Sequence, residues 1–125
     1  MLQKFGMADG IAILLTCSGA SNVGQISHQA VVELAQEGFG KFFCLAGIGA
    51  HLEKFVQSAK NNPEVVAIDG CPVGCAKRIL EHAEIPFSKY VVVTKQGFEK
   101  NHTLETKEDE IEKVKKAVKN LYEDH

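Results

Sequence analysis

The sequence predicts a single-domain, three-layer α/β sandwich: a four-stranded parallel sheet flanked by helices on both faces. Three observations carry that prediction. Four strand-like runs alternate with four amphipathic helical patterns, the β-α-β-α-β-α-β-α order that a parallel sheet with right-handed crossovers requires. The runs are continuously apolar rather than alternating, as strands covered on both faces must be. The chain has 125 residues, 45% of them apolar and 24% charged, enough for one hydrophobic core without staples.

Taken in order, residues 1–10 read as a loose leader and residues 11–125 as the domain. Ile11–Cys17 is the first strand, aliphatic throughout until Thr16. A helix from Asn22 to Glu37 sets Ile26, Ala30, Val31, Leu34 and Ala35 on one face, and Gly38 supplies its stop. Lys41–Ala46 is the second strand. Ala50 to Lys60 gathers Leu52, Phe55, Val56 and Ala59 on a helix that Asn61-Asn62-Pro63 ends. Val65–Asp69 is the third strand. Pro72 to Ala83 buries Val73, Ala76, Ile79, Leu80 and Ala83, with Pro72 at the first helical position, where its missing N–H costs nothing. Tyr90–Lys95 is the fourth strand. The last helix, Lys107 to Tyr122, opens on Thr106 and Asp109 in a capping-box-like arrangement and carries Ile111, Val114, Val118 and Leu121 at helical spacing. The strand order 2-1-3-4 follows by analogy with flavodoxin-like, doubly wound sheets.

Lys and Arg number 14 against 16 Asp and Glu, a formal net charge of −2, so the basic excess of a nucleic-acid-binding surface is missing. No run reaches the roughly 18 apolar residues of a membrane span. Lys4 ahead of Ile11–Leu15 and Cys17 faintly resembles a lipoprotein signal. Asp9 and Gly10 interrupt it, and the apolar core is shorter than the roughly 7 residues export requires. The expected location is therefore the cytoplasm, where thiols stay reduced and clustered cysteines read as metal-binding or catalytic.

The cysteines are the chemical signal. Ligands of an open parallel sheet gather beyond the carboxyl ends of its strands, where strand order reverses. Cys17 ends the first strand, Cys71 follows the third, and Cys75 lies four residues on, one helical turn away on the expected helix. Cys44 has two readings: a small buried hydrophobe within strand two, or a fourth thiolate. Four thiolates suit a closed tetrahedral zinc site, although the Cys71-Pro-Val-Gly-Cys75 spacing is one residue wider than the usual zinc knuckle. An iron–sulfur cluster has the same ligand chemistry. At the expected helix N-terminus, Cys71 is favoured as a thiolate. Lys77 and Arg78 read as a solvated face. Asp69 reads as an acceptor for backbone N–H groups of the turn that follows it.

The loop holding Ser18, Gly19, Ser21, Asn22 and Gly24 either cradles an anion on its amides or simply turns the chain. Cysteine opening such a loop is also found in low-molecular-weight phosphatases, but these need an Arg six residues on, and Val23 stands there. Sugar-transport subunits with a phosphocysteine lack that Arg too, yet leave Cys71 and Cys75 unexplained. His51 and His28 read either as substitute ligands at the same mouth or as surface residues. His82, His102 and His125 carry no pattern.

The stretches Cys17-Ser-Gly-Ala-Ser-Asn-Val-Gly24, Phe43-Cys-Leu-Ala-Gly-Ile-Gly49 and Asp69-Gly-Cys-Pro-Val-Gly-Cys-Ala-Lys77 resemble the DGC-domain family, named for an Asp-Gly-Cys motif. The resemblance spans about Ile11 to Gly97 and leaves the leader and last helix outside its informative part. It implies four chelating cysteines, here Cys17, Cys44, Cys71 and Cys75, with zinc inferred from that pattern, and it implies no reaction.

Three functional expectations follow. The first is a metal-binding protein, with zinc on the four cysteines. The second is a thiol enzyme handling disulfides or persulfides, with Cys71 as nucleophile and Cys75 or Cys17 resolving. In a regular helix a Cys71–Cys75 bridge would be strained, the Cα atoms being about 6 Å apart. The third is an anion-binding module on the Ser18–Gly24 loop. The metal ion is the expected partner, with neither nucleic acid nor membrane, and a homodimer is compatible with the sequence.

Overall fold

A computed structural model of the chain describes residues 12–122. The leader over residues 1–10, the strand start at Ile11 and His125 lie outside the described residues. Strands β1 (Ile13–Thr16) and β3 (Val65–Asp69) are buried along their whole length, which places them at the centre. The edges are β2 (Lys41–Phe42), two exposed residues, and β4 (Lys89–Val92), half-covered. All pairings are parallel and the order is β2-β1-β3-β4, as the sequence predicts.

Because successive strand residues face opposite sides, the register Ile13↔Val65, Leu14↔Val66 sorts the core into two layers. Leu14, Val66, Ile68 and Val91 pack under α1 (Asn22–Gln36) and α5 (Glu108–Asn120). Ile13, Leu15, Val65 and Ala67 pack under α2 (Leu45–Gly49), α3 (Glu53–Lys60) and α4 (Cys75–His82). The result is a three-layer sandwich with β1 and β3 at its heart.

Several element boundaries differ from the sequence expectation, each for a local reason. The second strand ends at Phe42, because Cys44 turns the chain into α2, which runs through Gly47-Ile48-Gly49. The single helix expected over Ala50–Lys60 is α3 alone, separated from α2 by His51 in the left-handed conformation (φ 59°). There the His51 N–H donates to the Ile48 carbonyl (2.9 Å) and the Leu52 N–H to the Gly47 carbonyl (3.0 Å), a Schellman stop on a residue other than glycine. Gly47 must lack a side chain, since a Cβ there would lie 2.7 Å from the Phe55 ring.

Helix α4 starts three residues later than expected, at Cys75. Pro72 is not its first residue but the second of a β-turn closed by Gly74 N–H to the Cys71 carbonyl, 3.1 Å, a position that proline's fixed φ equally favours. The fourth strand gives way after Val92 to a 3₁₀ turn, Val93–Gln96. At α5, the Glu110 carboxylate accepts from the Lys107 N–H (3.2 Å), so the cap lies one residue beyond Thr106.

Candidate thiol site at the carboxyl edge of the sheet

Cys17 continues the β1 ladder, its N–H donating to the Ile68 carbonyl at 3.0 Å, so its place at the strand's carboxyl end is fixed by the central pairing. The Gly19 and Gly70 amides lie close enough to the half-buried sulfur to favour its charged form. Burial pushes the Cys17 thiol above the usual range; those two amides oppose the shift, while the neighbouring Cys75 thiol and Asp69 carboxylate reinforce it.

Cys44 is not the core residue that a buried strand would make it. It is exposed, and its sulfur accepts from the Gly47 N–H (3.4 Å) as the N-cap of α2. Cys75, also exposed, is the first residue of α4, behind Gly74, whose left-handed conformation (φ 70°) redirects the chain. Cys17, Cys44 and Cys75 line one cleft of about 460 Å³, with Phe42, Phe43 and Ile79 on its walls. All four cysteines are free thiols.

Cys71 stands apart. It packs against the core on the α1/α5 side, and Lys100 Nζ lies 3.5 Å from its sulfur. With the 71–74 segment a β-turn rather than a helical turn, Cys71 and Cys75 do not share a helix face. The sequence expects four thiols at one centre; the structure brings three to one cleft. Among the described residues, no three His, Cys, Asp or Glu side chains are near enough together to hold a metal ion. The donor chemistry suits a soft cation, and the spacing requires the cleft to narrow around it.

Asp69 accepts backbone N–H groups as expected, but from α4 rather than from the turn. Its carboxylate receives Ala76 N–H (2.7 Å), Lys77 N–H (3.0 Å) and the Tyr90 hydroxyl (2.7 Å). It thus caps a helix whose own N-cap, Gly74, has no side chain to offer.

In the Ser18–Gly24 loop, the amides are largely engaged within the protein. Ser21 Oγ accepts from Gly24 N–H (3.1 Å) as the cap of α1, and Ser21 N–H donates to the Gly19 carbonyl (2.9 Å). The Asn22 side chain donates to the Glu99 carbonyl (2.8 Å) and accepts from Asn101 N–H (2.6 Å). Ser18 Oγ lies 2.9 Å from His28 Nδ1, and the His28 ring meets Phe42 edge-on at 5.5 Å, so His28 stands at the rim of the cleft. His51 sits beyond it, its ring 5.1 Å from His82.

Nothing in the sequence marks Lys100 or Tyr90 as a neighbour of these groups. Lys100 comes from an irregular segment with no periodicity to place it, and Asn22 anchors that segment across 77 positions of chain. Tyr90 reads only as a strand residue. Among the described residues, no helix is long and apolar enough to cross a membrane.

The DGC-domain family model matches residues 13–118, extending past the motif-bearing region into α5. The chain is 28% identical over 94 residues to a Pseudomonas aeruginosa protein described as "Anaerobic and virulence modulator AnvM", covering 75% of this chain and 72% of that one. No solved structure matches the chain. A family match over most of the sheet and its helices, with Asp69-Gly70-Cys71 at the end of the central strand β3, makes this chain a member of the DGC-domain family.

Proposed function

We propose that the chain is a thiolate metal-binding protein with a regulatory role, holding zinc through Cys17, Cys44 and Cys75. The observation that carries this reading is the convergence of three of the four cysteines on one cleft from positions 27 or more residues apart. Zinc on these three thiolates would link the loops after β1 and β2 and the start of α4, with its fourth tetrahedral position left open. Cys71 is the fourth donor if the Cys71–Gly74 turn reopens. The Gly19 and Gly70 amides on the Cys17 sulfur serve as outer partners that orient a ligand. The relative described as a modulator supports a regulatory rather than a purely structural role.

The test is elemental analysis of untagged protein together with a count of reactive thiols before and after a chelator. About one zinc per chain, with three thiols protected until chelation, is the expected result. Cys17→Ser abolishes retention, and zinc at a thousandfold excess over its Kd raises folding stability by about 4 kcal/mol. A brown protein with visible absorbance replaces zinc by an iron–sulfur cluster on the same thiols. Metal-free protein with four freely reactive thiols, and no thermal shift on adding zinc, sinks the metal reading.

One observation favours a second reading. Cys71 lies outside α4, so a Cys71–Cys75 disulfide escapes the helical strain expected for it. In that reading the two thiols reduce an external disulfide to its two thiols and become the bridge, losing two electrons and two protons.

A further inference from the structure

Behind the Cys71–Gly74 turn, away from the thiol cleft, lies a second cavity of about 290 Å³. We propose that it binds a small amphipathic oxyanion: a phosphate or carboxylate group joined to a compact apolar body. Its walls carry three cations from two elements, Lys77 and Arg78 on α4 and Lys95 on the 3₁₀ turn, against one acid, Glu81. That is a local excess of positive charge in a chain whose formal net charge is −2. The salt bridges among the described residues belong to Lys115 and Lys119, so among those residues none of the three cations is held in an ion pair.

Their placement suits an anion. Arg78 Nε donates to the Val73 carbonyl at 2.6 Å, which holds the guanidinium at the rim and leaves its outer nitrogens for an oxyanion. Lys77 Nζ lies 5.6 Å over the Tyr90 ring, held at the cavity by cation–π attraction. Asp69 is the other acid nearby, behind Gly74. Its charge already serves two backbone N–H groups and the Tyr90 hydroxyl.

The apolar part of the ligand is argued from Val73. This side chain is 54% exposed although the sequence pattern marks it for a core, and it forms one wall with Pro72 and Val92. A volume near the lower end of small-molecule sites, about 300 Å³, admits a single ring with one anionic group and excludes a dinucleotide. Pro72, Val73 and Gly74 are the segment between Cys71 and Cys75, so an occupant braces the turn that sets the spacing of those thiols. The binding itself requires no metal.

The experiment is an amide chemical-shift titration of the full, metal-free chain with phenyl phosphate, benzoate, inorganic phosphate and benzyl alcohol. Phenyl phosphate or benzoate should shift the Val73, Gly74, Lys77 and Lys95 amides saturably and bind more tightly than inorganic phosphate or the neutral alcohol. The tighter of the two names the anionic group. The double variant Lys77→Gln/Arg78→Gln should weaken binding about tenfold or more, while a cooperative thermal transition and an unmoved Ser18 amide show that it is folded. Lys95→Gln, on a different element, should weaken it too and guards against a local effect on α4. The proposal is overturned by no saturable shift up to about 10 mM of either aromatic anion, a range that reaches well past millimolar affinity. Equal binding of benzyl alcohol, or undiminished binding by the folded variants, overturns it as well.

Discussion

At Gly70 a methyl group would lie 2.8 Å from the Gly24 nitrogen, and at Gly24 one would lie 2.7 Å from the Gly19 carbonyl oxygen. These glycines are required by close approach rather than by backbone conformation: they let the end of β3, the start of α1 and the loop after β1 press together. That contact brings the Gly70 amide to the Cys17 sulfur. The Asp-Gly-Cys motif thus divides into a helix cap at Asp69, a contact point at Gly70 and a thiol facing Lys100 at Cys71. Sequence alone places Cys17 at the end of β1, because a strand end is legible, but sets Cys75 one turn inside a helix that in fact begins there. It cannot locate Lys100, whose neighbour is distant in the chain. A prediction at this scale concerns Cys17 in metal-free protein. Burial first, then the Cys75 thiol and Asp69, raise its pKa, so alkylation by iodoacetamide should have a pH midpoint above the ordinary thiol value of about 8.5. Exposed Cys44 and Cys75 should be modified before Cys17. Cys75→Ser removes one like charge and should move the Cys17 midpoint down, read by mass spectrometry of the modified peptides. A Cys17 midpoint at or below the ordinary value would count against this geometry.

Helix ends separate what periodicity reveals from what it conceals. Gly38 (φ 83°) ends α1 where a glycine stop is expected, but His51 (φ 59°) and Glu84 (φ 58°) take the same left-handed position at the ends of α2 and α4. Neither residue type announces a stop, which is why α2 and α3 read as a strand end and one helix. The start of α4 was concealed for a related reason: its cap comes from Asp69, six residues before Cys75, and no local pattern encodes a cap delivered from a strand. The dependence of α4 on that carboxylate is testable. Burial and then the hydrogen bond to Asp69 raise the Tyr90 pKa well above the usual phenol range. A folded-state pKa above the unfolded value of about 10 gives stability that is fully present below pH 10 and is lost as the pH rises through the folded pKa. Asp69→Asn keeps the shape and removes the charge, so Tyr90 should ionise at lower pH, and the variant should lose about 1–3 kcal/mol in urea unfolding at neutral pH. The chain has two tyrosines and no tryptophan, so tyrosinate absorbance resolves the change. Tyr122, held by burial and by Glu64, should titrate as before. An unmoved Tyr90 titration would refute the Asp69–Tyr90 bond, and unchanged urea stability would refute the capping role.

Across the whole molecule, the strand order expected by analogy with doubly wound sheets is the one observed, and the structure supplies its physical reason: β1 and β3 are buried along their length at the centre, while the less covered β2 and β4 form the edges. Which helices share a layer was not legible, since each amphipathic face fits either side of the sheet. The structure sets α1 beside α5 and joins them through Lys115, whose side chain is only 6% exposed and bonds Glu33, Glu37 and Glu112. Lys115 lies beside Val114 and near Ile111 and Val118 on the buried face of α5. Read by residue type it belongs to solvent; read by position it belongs to the interface, and its stem supplies the apolar part of the contact. Lys119 adds a second bond to Glu37 at 2.9 Å. Replacing Lys115 with Met preserves that stem and leaves three carboxylates facing one another without their shared cation. Because these carboxylates are partly solvated, the loss should be about 1–3 kcal/mol at neutral pH rather than the larger penalty of a fully buried pair. The sign of the pH dependence follows from Glu37, whose pKa is lowered chiefly by the hydrogen bond from Lys115 and further by Lys119, against the opposing effect of burial. A lowered folded-state pKa gives stability that is present above the unfolded carboxylate value of about 4.3 and is lost as the pH falls through the folded value. Wild-type protein should therefore lose that contribution on acidification, while Lys115→Met gains relief as its crowded carboxylates become protonated. The stability gap between the two, measured by urea unfolding from pH 7 down to about pH 3, should be widest at neutral pH and narrow steadily below pH 5. A gap that stays constant or widens in acid would mean that Lys115 acts through packing alone, and that α1 and α5 are joined by their apolar faces without help from this cation.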